Sequence, residues 1–122
     1  MKVKKLIPAV AFLLVGLSGC YNDKEELLYP QEAPTCSNTD SKFSTAVNSI
    51  IQNKCASSGC HDANTQASGY QFVSYTDIND NIESVKNSIF VTGSMPKTGS
   101  APLTEKEKVA LKCWIDAGSP NN

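Results

Sequence analysis

From Phe43 onward the apolar residues follow a helical period, not the two-residue alternation of a half-buried strand. In SKFSTAVNSIIQNKC, Phe43, Val47, Ile50, Ile51 and Lys54 succeed one another at spacings of four, three, one and three, so three to four apolar side chains share one face. This predicts a first helix over roughly Phe43 to Asn53. The following ASSGCHDANTQASGYQFVSYTD is rich in Ser, Gly and Asn and reads as a loop, with a short extended piece at Tyr70 to Tyr75. Ile78, Ile82, Val85 and Ile89 then recur at four, three and four, which predicts a second helix from about Asp77 to Ile89. VTGSMPKTGSAPL, with its glycines and prolines, cannot continue it. The last helix carries the clearest signals. Thr104 with Glu107 three residues on forms a capping box, Glu105 and Glu107 suit the positive end of the helix dipole, and Gly118 followed by Pro120 marks the stop. Val109, Ala110, Cys113, Trp114 and Ala117 are expected on one face of it, and Trp114, Phe43, Ile50 and Val109 in the core. The expected class is all-α, with long loops between the helices.

The segment before Phe43 has a different character. Lys2, Lys4 and Lys5 precede the apolar run LIPAVAFLLVGL, which is short for a bilayer span, and LSGC places small residues before Cys20. These residues resemble a bacterial lipoprotein signal with the lipobox Leu17, Ser18, Gly19 and Cys20; an ordinary secretory signal or a short membrane anchor is the alternative. The resemblance implies cleavage before Cys20, lipidation of its thiol, and a lipid anchor in the cell envelope, on a periplasmic or surface-exposed face of the outer membrane. YNDKEELLYPQEAPTCSNTD is polar and shows no sustained period, as a tether would. The expected organisation is a signal over 1–19, a flexible tether over 20–40, and one domain over 41–122.

Charge narrows the partners. From Cys20 onward there are eight lysines against twelve acidic residues, a formal charge of −4, and the chain has no arginine. Nucleic acid is thereby disfavoured, since the usual bidentate phosphate reader is missing. A domain this small buries a modest core, so a cross-link or a large apolar cofactor would help it fold, and an exported chain is free to form disulfides.

The candidate chemistry is concentrated in KCASSGCHD, which holds two of the five cysteines and the single histidine. Four residues separate Cys55 from Cys60, with His61 directly after. By themselves these residues admit a haem attachment site with an enlarged spacing, a small disulfide loop with an exposed His61, or a zinc knuckle completed by a fourth ligand. Met95 is the only methionine beyond the signal, and it sits in the Gly/Pro loop between Ser94 and Pro96. A packing methionine and an iron ligand are both possible readings of it.

In their order along the chain, IIQNKCASSGCHD, SMP and LTEKEKVALKCWIDAG resemble a small class I c-type cytochrome, specifically the cytochrome domains of exported lipoproteins of a Bacteroidetes-like kind. The likeness covers roughly Phe43 to Pro120. It implies a small cytochrome c-like fold of about three to four helices around one covalent haem c. Cys55 and Cys60 would be the thioether anchors, His61 the proximal iron ligand and Met95 the distal one. The longer cysteine spacing departs from the common pattern, and the small, flexible ASSG is what would let it bulge. The same resemblance brings together the segments carrying Cys36 and Cys113, implying a disulfide worth on the order of 3 to 4 kcal/mol in the chain-entropy model. Tyr70, Phe72 and Tyr75 would line the pocket or cover the loop. The implied activity is single-electron transfer with unidentified redox protein partners, and no substrate turnover. Two alternatives belong to other classes: a haem-free, disulfide-stabilised surface binding module, and a five-coordinate haem sensor or peroxidase in which Met95 does not ligate.

Overall fold

The computed structural model describes residues 32–122, and the signal, Cys20 and most of the proposed tether lie outside them. Residues Ala33–Asn122 form one compact unit. Four α-helices and no strand occur among the described residues, which makes the domain all-α. None of these helices is long and apolar enough to cross a membrane.

The first helical segment opens with a π-turn, Phe43–Val47, and continues as α1, Asn48–Lys54. Its wide first turn arises because both Ala46 and Val47 donate to the Lys42 carbonyl, each at 3.1 Å. Asn122 satisfies the free N–H groups at its start: the Phe43 amide donates to Oδ1 and the Ser44 amide to the carbonyl, both at 2.8 Å. The second predicted helix is two helices, α2 (Tyr75–Asp80) and α3 (Ile82–Lys86), followed by a π-turn, Asn87–Val91. It starts two residues earlier than expected because Ser74 is the N-cap, with Asp77 completing a capping box. It breaks at Asn81, whose side-chain amide donates to the Asp77 carbonyl at 2.8 Å and competes with the helical ladder. The extended piece expected at Tyr70 to Tyr75 is not a strand. Tyr70 is extended, but the segment runs unpaired into α2.

The last helix, α4 (Glu105–Asp116), has the predicted Thr104–Glu107 capping box. Its end is a Schellman motif: Gly118, at φ +88°, donates to the Ile115 carbonyl at 2.9 Å, and Ser119 donates to that of Trp114 at 3.0 Å. One correction concerns its buried face, which consists of Ala110, Leu111, Cys113 and Trp114; Val109 is half-buried and Ala117 exposed.

Val47, Ile51, Ile78, Leu111 and Trp114 are the largest fully buried side chains and form the centre of the core. Ile50, expected in the core, packs partly buried against it. Phe43 ties the first segment to the others, meeting Trp114 at 5.6 Å and Tyr75 edge-on at 5.1 Å between ring centroids. The polar ends of the two larger rings are both satisfied by one short stretch. Trp114 Nε1 donates to the Pro120 carbonyl at 2.9 Å and the Tyr75 hydroxyl to that of Ser119 at 2.7 Å. A disulfide joins Cys36 to Cys113, with Cα atoms 5.6 Å apart, inside the range such bonds require.

Candidate functional site

The candidate site begins where α1 ends. Cys55 is the C-cap of α1, and its amide and that of Ala56 both donate to the Ile51 carbonyl at 2.8 Å. The four residues between the thiols are taken up by a turn. Cys60 donates to the Ser57 carbonyl at 3.0 Å, and Gly59 supplies the positive φ, +86°, that a turn of this kind needs at its third residue. His61 N–H then reaches back to the Cys55 carbonyl at 3.1 Å, closing the loop between its two chemically important ends.

Asp62 braces the far side. Its carboxylate accepts from the amides of Gly59 at 2.9 Å, Asn64 at 2.9 Å and Thr65 at 3.0 Å. The Thr65 hydroxyl, with these amides, holds the Asp62 carboxyl down at about 2. The ASSG bulge is thus an ordered turn pinned from both sides.

Cys55 and Cys60 are half-buried free thiols. Burial, reinforced by the neighbouring Cys60 and by Glu107, pushes the Cys55 thiol up to about 11, so it stays protonated at neutral pH. His61 is 8% exposed. Its Nδ1 lies 3.1 Å from the Tyr70 carbonyl. A carbonyl only accepts, so Nδ1 is the donor, and in the neutral imidazole this leaves the lone pair on Nε2. Among the described residues no buried side-chain nitrogen or oxygen lacks a partner, and His61 bonds only through Nδ1, so Nε2 is open to the cavity that His61 lines. An imidazole held by one nitrogen with the other free is the arrangement of a metal-ligating histidine. The small-disulfide alternative, with Cys55 bonded to Cys60 and His61 exposed, is not what the structure has. Among the described residues no group of three His, Cys, Asp or Glu side chains is placed to hold a metal ion, so the zinc alternative gains no support.

A cavity of about 240 Å³, open to solvent, brings Cys55, Cys60, His61 and Met95 onto one wall system. Met95 arrives from the loop after the second π-turn, anchored by its amide donating to the Ser88 carbonyl at 3.2 Å. Tyr70 and Phe72 line the cavity as anticipated, whereas Tyr75 does not and packs on Phe43 instead. The wall supplied by α3 and its π-turn escaped the sequence reading: Val85 and Ile89 present apolar surface, with Ser84 and Ser88 beside them. The signal was present as the second helix's apolar period, which extends past the core into the cavity. Lys54 and Lys97 also line it, and among the described residues no carboxylate does. Lys54 is held at the rim by donating to the Pro102 carbonyl at 3.1 Å and by Glu107 at 3.9 Å. An apolar interior carrying two thiols, an imidazole, a thioether and two lysines is chemically suited to a flat apolar cofactor with anionic groups.

A scan against protein-family models and searches of curated proteins and of solved structures returned no match to this chain.

Proposed function

We propose that this chain is a monohaem c-type cytochrome of cytochrome c-like fold, a lipid-anchored single-electron carrier of the bacterial envelope. One observation carries the reading: His61, with Nδ1 tied and Nε2 free, shares a cavity with both thiols and with Met95. Haem c, when bound, supplies the Fe(III)/Fe(II) couple that takes up and releases one electron. The chain's part is to hold and to tune. With haem c bound, Cys55 and Cys60 would hold it as thioether anchors, so that the cofactor could not be lost after export. His61 offers the Nε2 lone pair as the proximal ligand. Met95 offers an uncharged thioether, which favours the reduced metal and raises the potential. Tyr70, Phe72, Val85 and Ile89 would exclude water from a bound ring, and Lys54 and Lys97 supply positive charge for its carboxylates. The cavity is open to solvent, so a bound ring would keep part of its surface accessible to an electron partner.

The test is expression in cells competent for cytochrome c maturation, followed by haem-peroxidase staining of a denaturing gel. The stain is expected to travel with the polypeptide and to vanish in the Cys55→Ala/Cys60→Ala variant. A mature but colourless protein overturns the reading. Carbon monoxide then tests Met95: the reduced protein is expected to resist binding and the Met95→Ala variant to bind readily. Ready binding by the unaltered protein would favour the sensor or peroxidase alternative.

A further inference from the structure

The segment Tyr70–Phe72 grips His61 at three points. The Phe72 amide donates to the His61 carbonyl at 2.9 Å. The imidazole donates through Nδ1 to the Tyr70 carbonyl at 3.1 Å. The Phe72 ring lies against the imidazole with centroids 4.7 Å apart at an interplanar angle of 41°. This segment has no ladder of its own, so something else must fix it. Gln52, half-buried on α1, donates from Nε2 to the Phe72 carbonyl at 2.9 Å across a separation of twenty residues. On the other side Gln71 donates to Asp77 Oδ1, in the first turn of α2, at 3.3 Å. The segment is slung between two helices, and the imidazole hangs from it.

We propose that Gln52 is a positioning residue: through the Phe72 carbonyl it holds the Tyr70–Phe72 segment in place and so fixes the axis on which His61 presents Nε2. That this axis serves an iron atom rests on the cytochrome reading; the clamp belongs to the polypeptide alone. Polarity is the essence of it. The partner is a carbonyl, so only a donor at position 52 works, and a carboxylate of the same shape would set oxygen against oxygen.

The experiment is hydrogen exchange by NMR on Gln52→Glu, Gln52→Met and the parent chain. Exchange is followed at the His61 ring N–H, the Phe72 amide and the Leu111 amide, and Leu111 stands for global opening. Leaving a part-buried carbonyl without its donor typically shifts a local equilibrium by about 5- to 150-fold. The expected result is acceleration of about 10-fold or more at His61 and Phe72 relative to Leu111 in both variants, with Gln52→Lys restoring most of the protection. Equal acceleration at all three sites, or none, overturns the proposal, since Gln52 would then stabilise the fold without positioning the ring. Should neither variant fold, the Gln52 side-chain amide of the parent chain decides: an Nε2 hydrogen exchanging as fast as that of free glutamine overturns the clamp, and one protected together with the His61 ring N–H upholds it. A haem-free product would remove the cytochrome reading alone, because the same exchange ratio on that chain still judges Gln52.

Discussion

Replacing both Cys36 and Cys113 by alanine removes the disulfide that links the start of the described chain to α4, and the size of the loss follows from the loop it closes. Cys36 and Cys113 are 77 residues apart. In the chain-entropy model, cross-linking a loop of that length removes close to 15 cal/mol/K from the unfolded ensemble, about 4.5 kcal/mol at 25 °C. That is somewhat above the 3 to 4 kcal/mol expected from the sequence, and it is a large share of the roughly 5–15 kcal/mol by which domains are stable. Alanine is preferred to serine at position 113, since that site is only 7% exposed and a hydroxyl there would need a new partner. With a urea slope of about 1–1.5 kcal/mol/M, the unfolding midpoint should fall by roughly 3–4.5 M, measured by tryptophan fluorescence of Trp114. The candidate site should persist while the fold does, because Cys55, Cys60, His61 and Met95 are held by contacts that the disulfide does not make. A midpoint shift worth less than about 1 kcal/mol would refute the entropic reasoning. Alkylation of both thiols in unreduced protein would refute the bond itself.

Three further outcomes are expected. Ile78→Ala empties a site with no solvent exposure and should cost about 2–5 kcal/mol in urea unfolding. Thr104→Ala breaks the α4 capping box and should cost about 1 kcal/mol, with Thr104→Ser close to neutral, as read by thermal melts. The carboxyls of Asp40 and Asp77 are both held below 3.8, chiefly by hydrogen bonds from Thr45 and from Ser74 respectively. A depressed folded-state value means that the unfolded chain binds protons first as pH falls. The stability these groups contribute should therefore be complete above about pH 5 and decline below 3.8, and Asp77→Asn should flatten part of that acid limb in urea midpoints taken across the range.

What could be read in advance tracks how local each cause is. The α4 boundaries were legible because Thr104, Glu107 and Gly118 act on their immediate neighbours. The start of α2 was just as local, but the apolar period drew attention to Ile78 and away from Ser74 and Asp77. The break at Asn81 was harder to see, because an asparagine within a sound helical period interrupts it only when its side chain wins the Asp77 carbonyl. Leu111 was missed for another reason: α4 is covered on more sides than a simple surface helix, so its buried arc is wider than one stripe. The four side chains that share the cavity were each identifiable as chemistry-bearing types, but their convergence was anticipated only through the family resemblance. It depends on the path of the loop through Met95, which is set by hydrogen bonds of the Met95 amide and of the Thr92 and Ser94 hydroxyls back to the π-turn. The Cys36–Cys113 pairing likewise has no local signal and was anticipated only through family resemblance.

The enlarged cysteine spacing is the feature on which the site most departs from the common haem pattern, and the structure shows why residue count alone is a poor guide to it. A loop matters through the position of its ends. Here the additional residues are consumed in the turn Ser57–Cys60, and the His61 amide returns to the Cys55 carbonyl at 3.1 Å. The space around Gly59 is open, with nothing within 4 Å of where a Cβ would stand, so glycine is needed there for its positive φ and not for clearance. Asp62 then fixes the same turn from beyond the histidine through the Gly59 amide. Each of these devices is built from small or short-chain residues that leave the thiols and the imidazole facing inward. A spacing of four therefore does not by itself separate Cys55 from His61, because the insert closes on itself and the His61 amide returns to the Cys55 carbonyl.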